Sequence, residues 1–350
     1  DRGDAISTPK DLGISDPQAT PWHVIHVPHC AEDRKIIKNM QDKHILCSHS
    51  RCILSTEKGY PKKAKAMVFN PLSMGPKVSI PREKPAGQIW VYSFYFESAT
   101  LHQFAKRPTM SLESKIDLTM TYQATSDIFR PFQEFIPREE KPPNITWAAA
   151  SKKYLLLWVV SNCGSKGRMA IFRKLQAKLG PEQVHIYGGC GKKIPCKRKN
   201  KTCEREFYSQ YKFYAAFENS RCRGYITEKF FRGFENNMVP LAYGGLGRAD
   251  YERIAPKEAF LHVDDFRNAD DLAKTFRAID QDDARYEGFH EWRQNWRVVR
   301  EGYVRKRAYC ELCDKLALPR KPHRSFGNLR EWMFDSCIKD KPLWKSEPAG

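Results

Sequence analysis

From Tyr154 onward the chain alternates apolar runs with amphipathic ones, and this rhythm constrains its fold more than any other feature. "YLLLWVV" (Tyr154–Val160) is continuously apolar, as a strand buried on both faces of a parallel sheet must be. After the turn "SNCGSKG", the run "RMAIFRKLQAKLG" places Met169, Phe172, Leu175 and Leu179 at helical spacing and stops at Gly180. "QVHIYGG" then completes a βαβ unit. The alternation continues through "KFYAAFE", "TEKFFRGFENN", "VPLAYGG", a helix over Arg248–Ile254, "AFLHV" and "NADDLAKTFRAID". Such repetition predicts a doubly wound parallel sheet, which takes its ligands at the carboxyl ends of its strands.

The first half reads as strands joined by polar connections: "WHVIHV", "KAMVF", "QIWVYSFYF" and "LTMTY" are rich in β-branched and aromatic residues. Between the halves, Arg130–Lys153 has the proline and charge content of a linker. At 350 residues the chain is long enough for two domains with cores of their own. The expected division is a flexible lead-in over 1–20, a first domain over 21–145, a second over 146–310, and a cysteine-containing tail over 311–350.

A formal charge of +19 draws the chain toward anions, and it is equally compatible with a solvated basic surface. Eleven cysteines and two N-x-T triplets, at Asn144 and Asn200, point to an oxidising secretory compartment with disulfides. "CELC" at Cys310–Cys313, with His323 and Cys337, has the residue types of a zinc site. Its later spacing is irregular, so disulfides through Cys310 and Cys313 are expected, with no metal site. No apolar run reaches the length of a membrane span.

The stretch "AAFENSRCRGYITEK" is where the chemistry gathers. Its strand delivers Glu218, Asn219 and Ser220 to the carboxyl edge, and Thr227 is a plausible N-cap for the helix that follows. Lys229 stands in the first turn, where the macrodipole disfavours a cation. A bound phosphate at the helix N-terminus would reverse that preference; the plain alternative is a surface lysine on an amphipathic helix.

The longer segment Tyr211–Gly245 resembles the donor-site motif of the α1,3-fucosyltransferases, a strand ending FENS followed by Y-[IV]-T-E-K, a helix and V-P. "LTMTYQATSDIFRPF", "WVVSNCGSKGRMAIFRKLQ", "VHIYGGCG" and "YERIAPKEAFLHVDDF" resemble further motifs of the family in the right order, from about Gln88 to Cys313. The resemblance implies a GT-B architecture of two Rossmann-like α/β domains. It also implies an inverting transfer of L-fucose from GDP-β-L-fucose to the 3-hydroxyl of a GlcNAc in a glycan. No cofactor is required on this reading, Mn²⁺ being at most stimulatory: Asp280-Gln281-Asp282 lies between two helical patterns and not at a strand end. Side chains and helix dipoles are expected to neutralise the diphosphate.

Carried over by position, Arg168 and Lys229 would pair with the diphosphate, and Glu228 and Tyr225 would contact the nucleoside sugar and diphosphate. Glu218 and Asn219 would lie near the fucose, with Ser161 and Asn162 beneath the nucleotide. Glu97, after the aromatic run Phe94-Tyr95-Phe96, matches the family's base, with Glu113 the competing carboxylate. The sequence departs from the family at Gln123-Ala124-Thr125, Phe132, Gly224 and "RGFENNM". The short spacing from T-E-K to V-P is shared with enzymes acting on N-glycan cores, and LacNAc is the other acceptor class. The implied setting is the Golgi lumen, behind an N-terminal membrane anchor. Two other classes compete. A nucleic-acid binder would need exposed stacking aromatics among its basic residues, whereas the aromatics here sit in apolar runs, so no nucleic-acid partner is expected. A non-catalytic glycan-binding module would keep the fold without turnover.

Overall fold

The computed structural model describes residues 22–27, 44–47, 50–56, 62–70, 80–94, 112–142, 152–197, 200–317, 329–334, 337–338 and 344. The expected lead-in, Glu97 and Asn144 lie outside them. The chain forms two compact units, one of residues 1–131 with 301–335, the other of residues 132–300 with 336–350.

The first unit holds a seven-stranded sheet of β1 (Trp22–His26), β2 (His44–Leu46), β3 (Arg51–Ser55), β4 (Ala66–Phe69), β5 (Ile89–Phe94), β6 (Leu118–Thr121) and β7 (Ile128–Phe129). Their order is β2-β3-β1-β4-β5-β6-β7. All pairs are parallel except β2 with β3. β4 and β5 are buried at every position, which explains why "AMVF" and "IWVYSF" are apolar or aromatic except at Ser93, whose buried hydroxyl accepts from Arg130 at 3.2 Å. β5 ends at Phe94, three residues before Glu97 in the chain.

The helix Glu301–Ala317 belongs to this unit, not to the second domain and a tail as the sequence suggested. Its Ala308, Tyr309, Leu312 and Leu316 join Ile25, Leu54, Val68, Val91 and Ile128 in one core. Leu312 is fully buried, which stabilises the unit by about 1.5–3 kcal/mol relative to exposure. Arg307 donates to the Phe129 carbonyl at 3.0 Å, and Ser50 to Asp314 at 2.6 Å. Disulfides Cys47–Cys310 and Cys52–Cys313 fasten the same helix to the sheet. The expectation for Cys310 and Cys313 therefore holds, and the zinc alternative does not, because both thiols are spent. The two bridges interleave along the chain and close nearly the same loop, so either one alone still brings the ends of that loop together. Replacing Cys52 and Cys313 with alanine should cost under ~2 kcal/mol, and removing all four cysteines about 2–5 kcal/mol. Urea midpoints of the two variants check this; equal losses would show that the bridges do not share one closure.

The second unit holds β9 (Tyr154–Val159), α1 (Lys166–Leu179), β10 (Val184–Tyr187), α2 (Lys201–Ser209), β11 (Tyr211–Phe217), β12 (Arg221–Cys222), α3 (Glu228–Glu235), β13 (Val239–Tyr243), α4 (Arg248–Glu252), β14 (Leu261–His262), α5 (Ala269–Asp280) and α6 (Asp283–Gly288). The five-stranded sheet runs β10-β9-β11-β13-β14, parallel throughout. Counted along the chain this is the order 2-1-3-4-5, whose connections turn opposite ways between β9 and β11. The expected α/β class of two Rossmann-like units thus holds for each unit.

The linker reading of Arg130–Lys153 does not survive intact. β8 (Glu134–Pro137) pairs antiparallel with β15 (Trp296–Val299) inside the second unit. Phe135 packs against Phe234 and Trp292 at ring distances of 5.1 and 5.0 Å, so this stretch is core and the unit begins at Phe132, not residue 146. At the far end, β16 (Cys337–Ile338) pairs with β12, and Cys222–Cys337 closes the contact. Asp280-Gln281-Asp282 is the helix boundary expected: Asp280 ends α5, and the Asp282 carboxylate caps α6 through the Arg285 N–H. Among the described residues, no helix is long and apolar enough to cross a membrane.

Candidate active site

The switch point between β9 and β11 collects most of the residues named from the sequence. Ser161 and Asn162 follow β9 and are exposed. The Asn162 carboxamide accepts the Gly164 N–H at 3.0 Å, tightening the turn that Cys163–Cys190 ties to the turn after β10. Arg168, in the first turn of α1, is 1% exposed. Its Nη1 donates to the Phe217 carbonyl at 3.0 Å and its Nη2 to the Asn162 carbonyl at 2.6 Å. One guanidinium therefore spans the ends of the two strands whose divergence opens the crevice, with its carbon 5.6 Å from the centre of the Trp158 ring.

Beyond β11, Glu218 is buried and its carboxylate organises the start of α3. Its Oε1 accepts the Thr227 N–H and hydroxyl, both at 2.8 Å, and its Oε2 accepts Lys229 Nζ at 3.0 Å. Lys229 Nζ also donates to Thr227 Oγ1 at 2.7 Å and lies 3.5 Å from Glu228 Oε1. The first-turn lysine thus has a resident anion, a buried carboxylate at the helix N-terminus, where the sequence offered a bound phosphate or a plain surface lysine. Burial pushes the Glu218 carboxyl above its ordinary value, only partly opposed by Lys229. Burial acts on Lys229 in the opposite sense, but Glu218 and Glu228 outweigh it and hold the ammonium above its ordinary value. Arg168 works against that rise, so the two cations sense each other. For Glu228, burial is outweighed by Lys229 and Arg232, and its carboxyl sits low.

Tyr225 donates to the Asn219 carboxamide at 3.2 Å. Gly244 closes the floor: a Cβ there would meet Glu218 Cγ at 2.8 Å and the Tyr251 hydroxyl at 2.7 Å. Gly224, a departure from the family pattern, has φ +67 and gives its N–H to Asp250 at 2.8 Å. Asp250 also accepts the Leu246 N–H at 2.9 Å, so one carboxylate fixes two loops of the rim. Asp250 and the Arg221–Asp264 ion pair were missed as site residues; the charges in "GGLGRAD" and "HVDDF" were the available signal. Asn200 caps α2 by accepting the Cys203 N–H at 3.1 Å, and it is exposed as a glycosylation acceptor must be.

Two histidines of this unit are held neutral. Burial, reinforced by Arg221 and Arg248, lowers His262 to about 3; burial with Arg293 and Lys152 does the same to His290. A folded value below the unfolded one means stability that is present above pH 6.5 and lost as pH falls toward 3. Acidification from pH 7 to 5 should cost about 2 kcal/mol per histidine. Urea midpoints at the two values, compared with His262→Gln and His290→Gln, check this; parallel profiles for variants and parent would discount both residues.

Glycosyltransferase family 10 (fucosyltransferase) C-terminal sequences match residues 149–332, and the fucosyltransferase N-terminal model matches residues 26–133. The human 4-galactosyl-N-acetylglucosaminide 3-alpha-L-fucosyltransferase FUT6 is 35% identical over 268 residues, covering 75% of this chain and 70% of that protein. The chimpanzee (Pan troglodytes) 3-galactosyl-N-acetylglucosaminide 4-alpha-L-fucosyltransferase FUT3 is 33% identical over 305 residues, covering 85% and 74%. A crystal structure of an α1,3-fucosyltransferase with GDP-fucose shares the fold, with a TM-score of 0.53 at 15% identity over 88% of this chain and 94% of the other. The two matched models together span most of the chain, and it belongs to the glycosyltransferase family 10 fucosyltransferases.

Proposed function

We propose that the protein transfers L-fucose from GDP-β-L-fucose to the 3-hydroxyl of a GlcNAc residue, with inversion at the anomeric carbon. The observation that carries this is the Arg168–Lys229–Glu218 cluster at the switch point of a parallel sheet. As the sugar–phosphate bond breaks, negative charge grows on the departing diphosphate, and pre-positioned cations stabilise it without reorganisation. Two of the three Lys229 donors are committed to Glu218 and Thr227; the third faces only the 3.5 Å contact with half-exposed Glu228. A phosphate oxygen can take that place. Arg168 adds positive potential from below, and the exposed Ser161 and Asn162 offer hydrogen bonds at the rim. Tyr225, Asn219 and Glu228 are the groups for the nucleoside and fucose hydroxyls. Glu97 takes the proton of the attacking hydroxyl.

The short connection from T-E-K to V-P supports an N-glycan core acceptor; the names of the relatives support a galactosyl-GlcNAc acceptor. Incubation with GDP-fucose and both glycan classes should add one deoxyhexose in mass to one of them, and no gain on any GlcNAc-terminated or LacNAc glycan would refute the reading. Cationic side chains suffice for the leaving group, so chelation should leave at least half of the rate. Complete loss that Mn²⁺ restores would place a metal in the reaction. The five disulfides among the described residues and the exposed Asn200 support a Golgi-luminal setting.

A further inference from the structure

The second unit carries another concavity, of about 410 Å³, lined by Trp292, Trp296, Glu258, Glu291, Gln294 and Asn295 among others. Its walls come from the segment before β14 and the segment before β15. β14 runs parallel to the rest of the sheet, so this is the amino-end edge, opposite the strand ends that carry Ser161 and Glu218. We propose that this hollow is a binding site for a neutral saccharide, separate from the nucleotide-sugar site.

The lining is specific in three ways. Trp296 is a large apolar side chain left 37% exposed, a platform for the C–H face of a pyranose ring. Trp292 is 8% exposed, and its indole N–H is buried with no hydrogen-bond partner among the described residues, a donor with work undone. Two carboxylates and two carboxamides supply the paired acceptors and donors that vicinal hydroxyls need. In a chain of charge +19, this lining has no lysine or arginine, so a phosphate, sulfate or carboxylate ligand is disfavoured.

An ammonium cage is the competing use of two tryptophans beside two glutamates. The geometry speaks against it. Arg293 already covers Trp292, its guanidinium carbon 4.2 Å from the ring centre, while Phe135 and Phe234 pack on the same indole at 5.0 and 5.3 Å. Only Trp296 is left to offer a face, and one face with hydrogen-bonding neighbours matches a sugar better than a cation.

The inference does not depend on the fucosyl-transfer reading, and its test is separate. Saturation-transfer NMR on the full chain, with saturating GDP present, should show N,N′-diacetylchitobiose, N-acetyllactosamine or mannobiose binding with dissociation constants on the order of millimolar. Trp296→Ala should weaken that binding tenfold or more, Trp296→Phe should retain it within threefold, and fucose transfer to a soluble acceptor should be unchanged in both. Because Trp296 pairs with Pro137 in a strand, Glu291→Ala on the exposed turn serves as a second variant; it should also weaken binding several-fold. No binding by any of the three disaccharides overturns the proposal. So does binding that Trp296→Ala and Glu291→Ala both leave unchanged, or Trp296-dependent capture of tetramethylammonium in place of sugar.

Discussion

Lys229→Met should remove both donor affinity and stability from the second unit, and the two losses can be separated. The ammonium's partner, Glu218, has no side-chain exposure, so the variant leaves a buried carboxylate facing only the Thr227 N–H and hydroxyl. Breaking one side of a buried pair costs about 3–5 kcal/mol. Burial already pushes the Glu218 carboxyl up, and removing Lys229, which opposes that rise, will push it further. A folded value raised above the unfolded one gives stability that is present at low pH and lost as pH rises through the folded value. The gap between variant and parent in urea midpoint should therefore widen from pH 4.5 to 8. Adding Glu218→Gln should restore stability but not donor binding. Calorimetric titration of the double variant with GDP should read an affinity ten- to a hundredfold below the parent, about the loss of one charge-assisted contact. Parental GDP affinity in the double variant would remove Lys229 from the donor site.

Glu97→Gln should lower kcat by about 10²–10⁴-fold, the usual contribution of a positioned general base. GDP affinity should change less than twofold if, as proposed, the residue acts on the acceptor hydroxyl. The isosteric amide keeps volume and hydrogen-bonding shape, so a loss confined to kcat reports chemistry. Its chain position supports the role: β5 lies inside a parallel sheet, and Glu97 follows the carboxyl end of that strand by three residues. Glu113→Gln is the matching control, expected to keep most of the rate. If Glu97→Gln remains within threefold of the parent, the proton goes elsewhere; if GDP affinity falls in step with kcat, the residue is structural.

The βα rhythm of the second unit was legible because its strands are buried on both faces and its helices on one. "YLLLWVV" and "VPLAY" have no polar face to hide, and Phe172, Leu175 and Leu179 do lie in the core beside α1. The pattern did not foretell that Arg168, expected at the diphosphate, would be buried with two backbone carbonyls as its partners. α2 escaped notice: "KTCEREFYS" is charged and short, and it is held by the Asn200 cap and Cys196–Cys203. The Glu301–Ala317 helix, the β8–β15 pair and the partners of Cys47, Cys52 and Cys222 depend on contacts more than a hundred residues apart, which no local pattern encodes. The Lys229–Glu218 pair was within reach, since both residues were named, but the answer to the helix's charge lay in the chain itself.

The route by which the chain re-enters its first unit bears on biosynthesis. The partners of Cys47 and Cys52 lie 263 and 261 residues downstream. At ~5–20 residues per second, a ribosome needs on the order of tens of seconds to deliver them. Throughout that interval two nascent thiols wait, while Cys163 and Cys190, only 27 residues apart, emerge in quick succession. Cys30, Cys47 and Cys52 all emerge in that interval, so a vectorial oxidase pairing neighbours as they appear would join two of these three, and the native bridges then form by thiol–disulfide exchange.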